Sequence, residues 1–397
     1  MRFVVRPLRE FTDASIDLND YCGSSGHLFV RDGVGIAGRG SAARTTRSGA
    51  KALLESITVD CPEERSGTRP LLIGSIPFDR ERDGDFILPE QWIVKDLDGA
   101  EWFAFLEGST PDISTGRRAS ATSNGFRVRP GVAVERYLAA VETVRDAVRA
   151  GEITKAVIAR DVVVEADHPI DVHGLLLRLK ASFGSSYRYS FDGLVGASPE
   201  LLVEVRGNEI ASHPLAGTTP RTGDPAIDEQ LAADLLASPK NQIEHRVVID
   251  MVHDTLLPYC SYLDWEPEPT VVKVANVQHL GTRLQGALST PRLDALEAAH
   301  LLSPTPALGG FPRERALQLI AQHEGIDRGR YGGAIGWFDS AGDGTFAVAI
   351  RCAVFSDDRR MARLYAGGGI VAESDPLAEL AETQAKLQAM LAAIIRP

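Results

Sequence analysis

The stretch Leu364–Lys386 reads LYAGGGIVAESDPLAELAETQAK and narrows the possible folds of this chain more than any other. Gly367, Gly368 and Gly369 lie inside a run that otherwise favours a strand, flanked by ARLYA and by Ile370-Val371. Glycine weakens a strand and gives it nothing to pack, so consecutive glycines there indicate that another backbone or a ligand comes close. Ser374-Asp375-Pro376 then supplies a capping residue and a proline, which together start a helix. Glu379 and Glu382 follow at a spacing of three and Lys386 four residues later, all on one side of that helix. Bare backbone suits an anion, whereas a carboxylate pair suits a cation. Mg²⁺ reconciles them, because it takes one or two protein carboxylates and completes its shell with substrate oxygens. A solvated helix face after a glycine turn accounts for the same letters.

The rest of the chain mixes helices and strands irregularly. In ERYLAAVETVRDAVRAGEI, Tyr137, Val141, Val144 and Val148 recur on one helical face, and Gly151 ends the helix. KAVIARDVVVEA is a strand, DVHGLLLRLKASF a helix, and YRYSFDGLVGAS, ELLVEVRGN and EIASHPLAGT three strands of an antiparallel meander. A long helical region covers Ala226–Leu257 and another helix Pro312–His323. AIGWFDSAGDGTFAVAIRCAVF is a hairpin across Gly-Asp-Gly, followed by the glycine-bearing strand and a closing helix. Before residue 115 short strands such as PLLIGSIPF and EWFAFLEG alternate with polar loops. One of these, GRGSAARTTRSGA, lacks the Lys-Ser/Thr ending of a phosphate loop and is read as a mobile surface loop. The polar stretch 110–125 connects two halves. The fold class is α+β rather than a doubly wound parallel sheet.

A formal charge of −12 argues against a nucleic-acid binder, which needs basic surface to meet phosphate. It also means that an acidic substrate must be met locally, by a metal or a few placed cations. Cys22, Cys61, Cys260 and Cys352 have no metal-ligand spacing, so reduced thiols are expected. MRFVVRPLREF has no secretory-signal pattern, and no run approaches the roughly 18 apolar residues of a spanning helix. A cytoplasmic protein without a membrane partner is expected, and a monomer, since no apolar patch stands out.

Other segments hold polar groups that chemistry could use. SPELLVEV puts Glu200 at the start of a strand after a proline; by default it is a cap or a surface residue. PLAGTTPR offers the Gly217-Thr218 turn with Arg221 near it. In SPKNQIEHRVVIDMVHD, Glu244 and His245 ride a helix that is otherwise read as a solvated face. LSPTPALGGFP is a rigid loop containing Ala307, of a kind that walls a pocket. His279 in VQHLGTRLQG has a bland reading as a core donor, and Lys155 as an exposed charge.

Taken in order, KAVIARD, SPELL, HPLAGTTPR, SPKNQIEH, VQHLGT, SPTPALGGFP, RYGGAIGW, AIRCA, AGGGIV and ESDPLAELAETQAK resemble the chorismate-utilising enzymes, from about Lys155 to Lys386. The N-terminal third resembles them only loosely. The resemblance implies large antiparallel sheets packed together with helices outside. Residues 1–125 would be a variable part of that fold and 126–397 its chorismate-binding region. Within the family, Lys at position 155 and the PTPALGGFP loop are most similar to the isochorismate synthases, where ammonia-using relatives carry Gln in place of the lysine.

The expected reaction is Mg²⁺-dependent: water attacks C2 of chorismate and the C4 hydroxyl leaves from the opposite face. The resemblance makes Lys155 the base, with its pKa lowered by burial or neighbouring charge, and Glu200 the acid, with a raised pKa. Glu244, Glu379 and Glu382 would hold Mg²⁺. Gly217, Thr218, His279, Ala307, Tyr331, Arg351, Gly367, Gly368 and Lys386 would contact chorismate, Arg351 gripping the enolpyruvyl carboxylate. Asn241 departs from relatives that have an acidic residue there, and Thr219-Pro220 from those with other pairs. The alternatives are salicylate synthase, which goes on to eliminate pyruvate, then anthranilate or aminodeoxychorismate synthase, and a non-catalytic binding protein on the same fold. The downstream use of the product, in menaquinone or siderophore biosynthesis, is open.

Overall fold

A single pairing organises the molecule: the long strand Lys155–Ala166 runs antiparallel to Met361–Ile370, setting Val157, Ile158 and Ala159 opposite Gly369, Gly368 and Gly367. The computed structural model describes residues 1–116, 124–274 and 276–396; of the polar stretch 110–125, residues 117–123 lie outside the described residues. The paired strands belong to a sheet of 13 strands. It runs from Phe126–Pro130 through the central hairpins to Arg2–Pro7 and Thr58–Asp60 at the other edge. A second sheet has nine strands, among them Leu201–Arg206, Gly344–Val348, Ala334–Asp339 and Leu71–Ile76. Three short strands, Leu215–Pro220, Val277–Gly281 and Thr270–Lys273, form a third sheet. Among the described residues every pairing but that of Arg2–Pro7 with Thr58–Asp60 is antiparallel.

Strand alternation gives the large sheet two buried faces. Phe29 and Ile36 share one core with Leu72, Ile73 and Phe346 of the second sheet. Leu28, Val30 and Leu364 point the other way, onto Leu175 and Leu179 of the helix Val172–Ser182 and Leu387 and Met390 of Pro376–Ile395. The helix Val134–Arg149 buries Tyr137, Val141 and Val144 on the first core, the face its periodicity predicts. Strands from before and after residue 125 share both large sheets: His27–Arg31 pairs with Tyr187–Phe191, and Leu71–Ile76 with Ala334–Asp339.

The structure departs from the sequence reading in four places. The supposed meander is divided among sheets: Tyr187–Phe191 and Leu194–Ser198 lie in the large sheet, Leu201–Arg206 and Glu209–His213 in the second, Leu215–Pro220 in the third. Local propensity cannot reveal this, since each strand reads alike whichever sheet receives it. The hairpin AIGWFDSAGDGTFAV likewise passes on, through Ala349–Arg351, into Cys352–Phe355 of the large sheet. The long helical region is two helices, Pro225–Ala237 and Pro239–Leu256, because Ser238 leaves the helical conformation ahead of a proline. The basic segment 38–50 contains the edge strand Ala43–Thr46 and opens the helix Arg47–Glu55, so it is not a free loop.

These passages between sheets matter for function. Glu200 stands where the chain leaves Leu194–Ser198 for Leu201–Arg206. Arg351 stands where it returns from Gly344–Val348 to Cys352–Phe355, with φ of 52°. A non-glycine residue in that region is held against its own preference by its surroundings. Both seams bring an ionisable side chain to the boundary between sheets.

Candidate active site

At that boundary lies a cavity of about 200 Å³. Lys155 is the first residue of its strand and is buried beside it. Its Nζ donates to Glu244 Oε1 at 2.6 Å, reaching across to the helix Pro239–Leu256. This approach needs Gly369: a Cβ there would lie 2.6 Å from Lys155 Cε and 3.0 Å from Glu244 Oε1. Gly367 also lines the cavity, and a Cβ on it would meet Val157 Cγ1 at 2.8 Å and the Tyr331 hydroxyl at 3.3 Å. Gly368 corrects the sequence reading. Being the middle of three in a strand it faces the other way, where a Cβ would strike Glu379 Oε2 at 2.5 Å, and it does not line the cavity. Its bareness lets Glu379 lie against the strand. Gly369→Ala is accordingly expected to keep the fold but displace Lys155, lowering turnover at least about tenfold at unchanged circular dichroism.

Glu200 is buried at its seam and lines the same cavity. Burial pushes its carboxyl up to about 8, against the weaker opposing pull of the Leu215 N–H and the charges of Arg351 and Lys155. It is therefore a protonated acid at neutral pH, the setting the sequence reading expects for a proton donor. Lys155 has the expected burial, but the charge beside it is a carboxylate. Burial alone would raise the Glu244 carboxyl; the charge and hydrogen bond of Lys155, with Lys386 and Lys240 further off, outweigh it and hold the carboxyl below its ordinary value. The two form a buried ion pair, and base chemistry at Lys155 requires that pair to open.

The opposite wall comes from the third sheet. A bulge between Ala216 and Thr218 sets Gly217 at φ 71° against Asn241, whose Oδ1 a Cβ would reach at 3.0 Å. The bulge turns the Gly217 carbonyl to within 3.1 Å of His279 Nδ1, with Thr218 Oγ1 at 3.2 Å from the same nitrogen. Arg351 donates to His279 Nε2 at 3.1 Å, which makes Nε2 the acceptor and assigns the proton to Nδ1. Burial, then the charges of Arg351 and Lys386, push the imidazole down to about 3, so His279 is neutral and orients the guanidinium. Arg351 Nε is buried without a partner, a donor left for an anion in the cavity. Tyr331 stacks on Tyr365 with ring centroids 5.1 Å apart and completes that wall with Ala307.

The helix Pro376–Ile395 contributes the remaining charges. Lys386 Nζ donates to Gly367 O at 2.8 Å and pairs with Glu382 Oε1 at 2.6 Å. Glu379 Oε1 accepts the Ser374 hydroxyl at 2.7 Å, while Oε2 is buried with no partner. Burial, then repulsion by Glu382, raises the Glu379 carboxyl to about 6. Glu244, Glu379 and Glu382 all line the cavity. In this arrangement two of them are engaged by lysines, and no group of three His, Cys, Asp or Glu among the described residues is drawn together around one point. The donor set nonetheless suits a hard divalent cation: carboxylate oxygens, one of them orphaned, and two acidic side chains that repel each other.

Sequence reasoning missed Lys240, an exposed cation at the cavity. It also missed the pair Glu324 and Arg328. Arg328 donates to Leu308 O at 2.8 Å and Val157 O at 2.7 Å, while Glu324 accepts the Ala159 N–H at 2.7 Å. These bonds tie the Ala307–Leu308 loop to the strand carrying Lys155. Their spacing of four was no signal, because the helix ends at His323 and Arg328 lies beyond it.

Comparison with known proteins follows the same lines. The family described as chorismate binding enzyme matches residues 109–395. A Mycobacterium tuberculosis protein provisionally named isochorismate synthase MenF is 41% identical over 343 residues, covering 83% of this chain and 88% of that protein. Isochorismate synthase DhbC of Bacillus subtilis is 36% identical over 338 residues, covering 82% of this chain and 81% of that protein. A solved structure from Bacillus anthracis, provisionally assigned as a 2,3-dihydroxybenzoate-specific isochorismate synthase, DhbC, matches with a TM-score of 0.80 at 33% identity. It covers 96% of this chain and 99% of that one.

Proposed function

The chain belongs to the chorismate-binding enzyme family, and from that premise we infer that it is an isochorismate synthase. The observation that carries the reading is that buried Lys155, on the large sheet, and a protonated, buried Glu200, at the seam between the two sheets, open onto one cavity. The isomerisation needs a base to take a proton from water as its oxygen bonds to C2. It also needs an acid to give a proton to the C4 oxygen as that bond breaks, the ring double bonds shifting between. Lys155 supplies the base as the neutral amine, once the pair with Glu244 opens and the ammonium has given its proton to solvent, and Glu200 supplies the acid. Arg351, fixed by His279 and with Nε unpaired, takes a substrate carboxylate, and the Tyr331 ring borders the same space.

Glu379 and Glu382, with Glu244, would hold Mg²⁺. When bound, Mg²⁺ supplies charge that neutralises a substrate carboxylate and makes the ring more electrophilic.

Chorismate with Mg²⁺ and no nitrogen source is expected to yield isochorismate on chromatography. Salicylate with pyruvate would reassign the final product, and absence of any turnover would defeat the reading. A chelator is expected to stop the reaction and added Mg²⁺ to restore it.

The acid role carries a pH signature. Glu200 loses its proton as pH rises through about 8, so turnover is expected to fall about tenfold per unit above that value. Stability has the same sign. The folded carboxyl lies above its ordinary 4.5, so its contribution is full below about 4.5 and is lost as pH rises through about 8. Glu200→Gln is expected to flatten both profiles, read by rate measurements and guanidinium unfolding.

A further inference from the structure

We infer that Lys240 is the receiving cation for the anionic substrate, a specificity residue at the mouth of the cavity; the inference rests on the function proposed above. The other lysines of the cavity are already engaged within it, Lys155 by Glu244 and Lys386 by Glu382 and Gly367 O, and Arg351 is deeply buried against His279 with Nε unpaired. Lys240 lines the cavity, is exposed, and among the described residues has no ion pair or side-chain hydrogen bond.

Its position does not serve the helix that bears it. Lys240 is in the first turn of Pro239–Leu256, directly after Pro239, where the helix dipole favours an acidic side chain and opposes a cation. The helix start is already secured by Ser238, whose side chain accepts the Asn241 N–H. The cation is therefore placed at a cost to its own element, facing the cavity.

Chemistry explains why such a residue is needed. The chain carries a formal charge of −12, which repels a dianion at long range. Within the cavity, the Lys155 and Lys386 pairs are internally neutral, which leaves buried Arg351 as the inner anion site. A dicarboxylate approaching from solvent thus meets Lys240 first and passes to Arg351. A substrate bearing one carboxylate would gain less from two separated cations, so Lys240 favours dianions over monoanions.

The test is steady-state kinetics of wild type, Lys240→Ala, Lys240→Glu and Lys240→Arg with chorismate and Mg²⁺ over a range of ionic strength. Lys51→Ala, on the remote helix Arg47–Glu55, is the control. Lys240→Ala is expected to raise KM about three- to tenfold at low salt, with a smaller change in kcat, and Lys240→Glu to raise it further. The difference from wild type should vanish near 1 M salt, where the screening length is about 3 Å. Lys240→Arg should restore the wild-type KM and Lys51→Ala should match wild type throughout. An unchanged KM in Lys240→Ala, or a loss of kcat that salt does not alter, overturns this inference while leaving the proposed reaction standing. A wild-type protein that does not turn over chorismate defeats both.

Discussion

Lys155→Ala is expected to lower chorismate turnover by about 10²–10⁴-fold, the range a positioned proton-transfer group contributes. The loss should fall on kcat rather than KM. The ammonium is spent on Glu244 at 2.6 Å, and substrate charge is met by Arg351 instead. Removing Lys155 leaves Glu244 without its partner. Its side chain is 14% exposed and faces the cavity, so water can take the place of the amine and the protein should still fold. Lys155→Ala combined with Glu244→Gln separates the two consequences. It removes the stranded charge, so it is expected to recover any lost stability without recovering turnover. Circular dichroism and guanidinium unfolding monitor the first, product chromatography the second. Retention of more than about a tenth of wild-type turnover by Lys155→Ala would exclude it as the base.

How far the letters alone lead depends on the range of the interaction. The strand Lys155–Ala166 has the bounds of KAVIARDVVVEA, and the helix starting at Pro376 begins at its Ser-Asp-Pro signal, because both are decided by neighbouring residues. Glu379 and Glu382 share a cavity for the same reason, since helical spacing fixes which side they leave from. The division of strands between sheets was not legible. Nothing local to Pro199-Glu200 or Ala349–Arg351 tells the chain to cross from one sheet to the other; the partners that demand it are distant in sequence. The Lys155 contact with Glu244 spans 89 positions and hides the feature that most affects its chemistry, an ion pair that must open before the amine can act. Gly368 is a different case. Alternation along a strand already implies that only two of three consecutive glycines can face one ligand, so its outward orientation was available from the period of two. Lys240 carried only the weak signal of a cation in a first helical turn, because an exposed lysine there differs from a solvated one only by what stands opposite it.

Arg328→Met is expected to destabilise the protein by about 3–5 kcal/mol, the cost of leaving one member of a buried ion pair without the other. The side chains of Arg328 and Glu324 are 2% and 1% exposed, so water cannot compensate as it does at Glu244. The guanidinium also lies over the Phe78 ring at 4.2 Å and holds two carbonyls, Val157 O and Leu308 O, from two walls of the cavity. Removing both charges, as in Arg328→Met with Glu324→Gln, abolishes the stranded carboxylate. It still leaves those carbonyls without their donor, so recovery should be partial, each unsatisfied group costing roughly 1–3 kcal/mol. Guanidinium unfolding of the single and double variants measures the coupling directly. A loss below about 1 kcal/mol in Arg328→Met would show that the pair is dispensable to the fold. Because the same bonds join the Lys155 strand to the Ala307–Leu308 loop, the double variant should also lose turnover at a temperature where it is fully folded. That loss separates a bond network that shapes the cavity from one that merely holds the chain together: a double variant that is folded and fully active would limit Glu324 and Arg328 to stability alone.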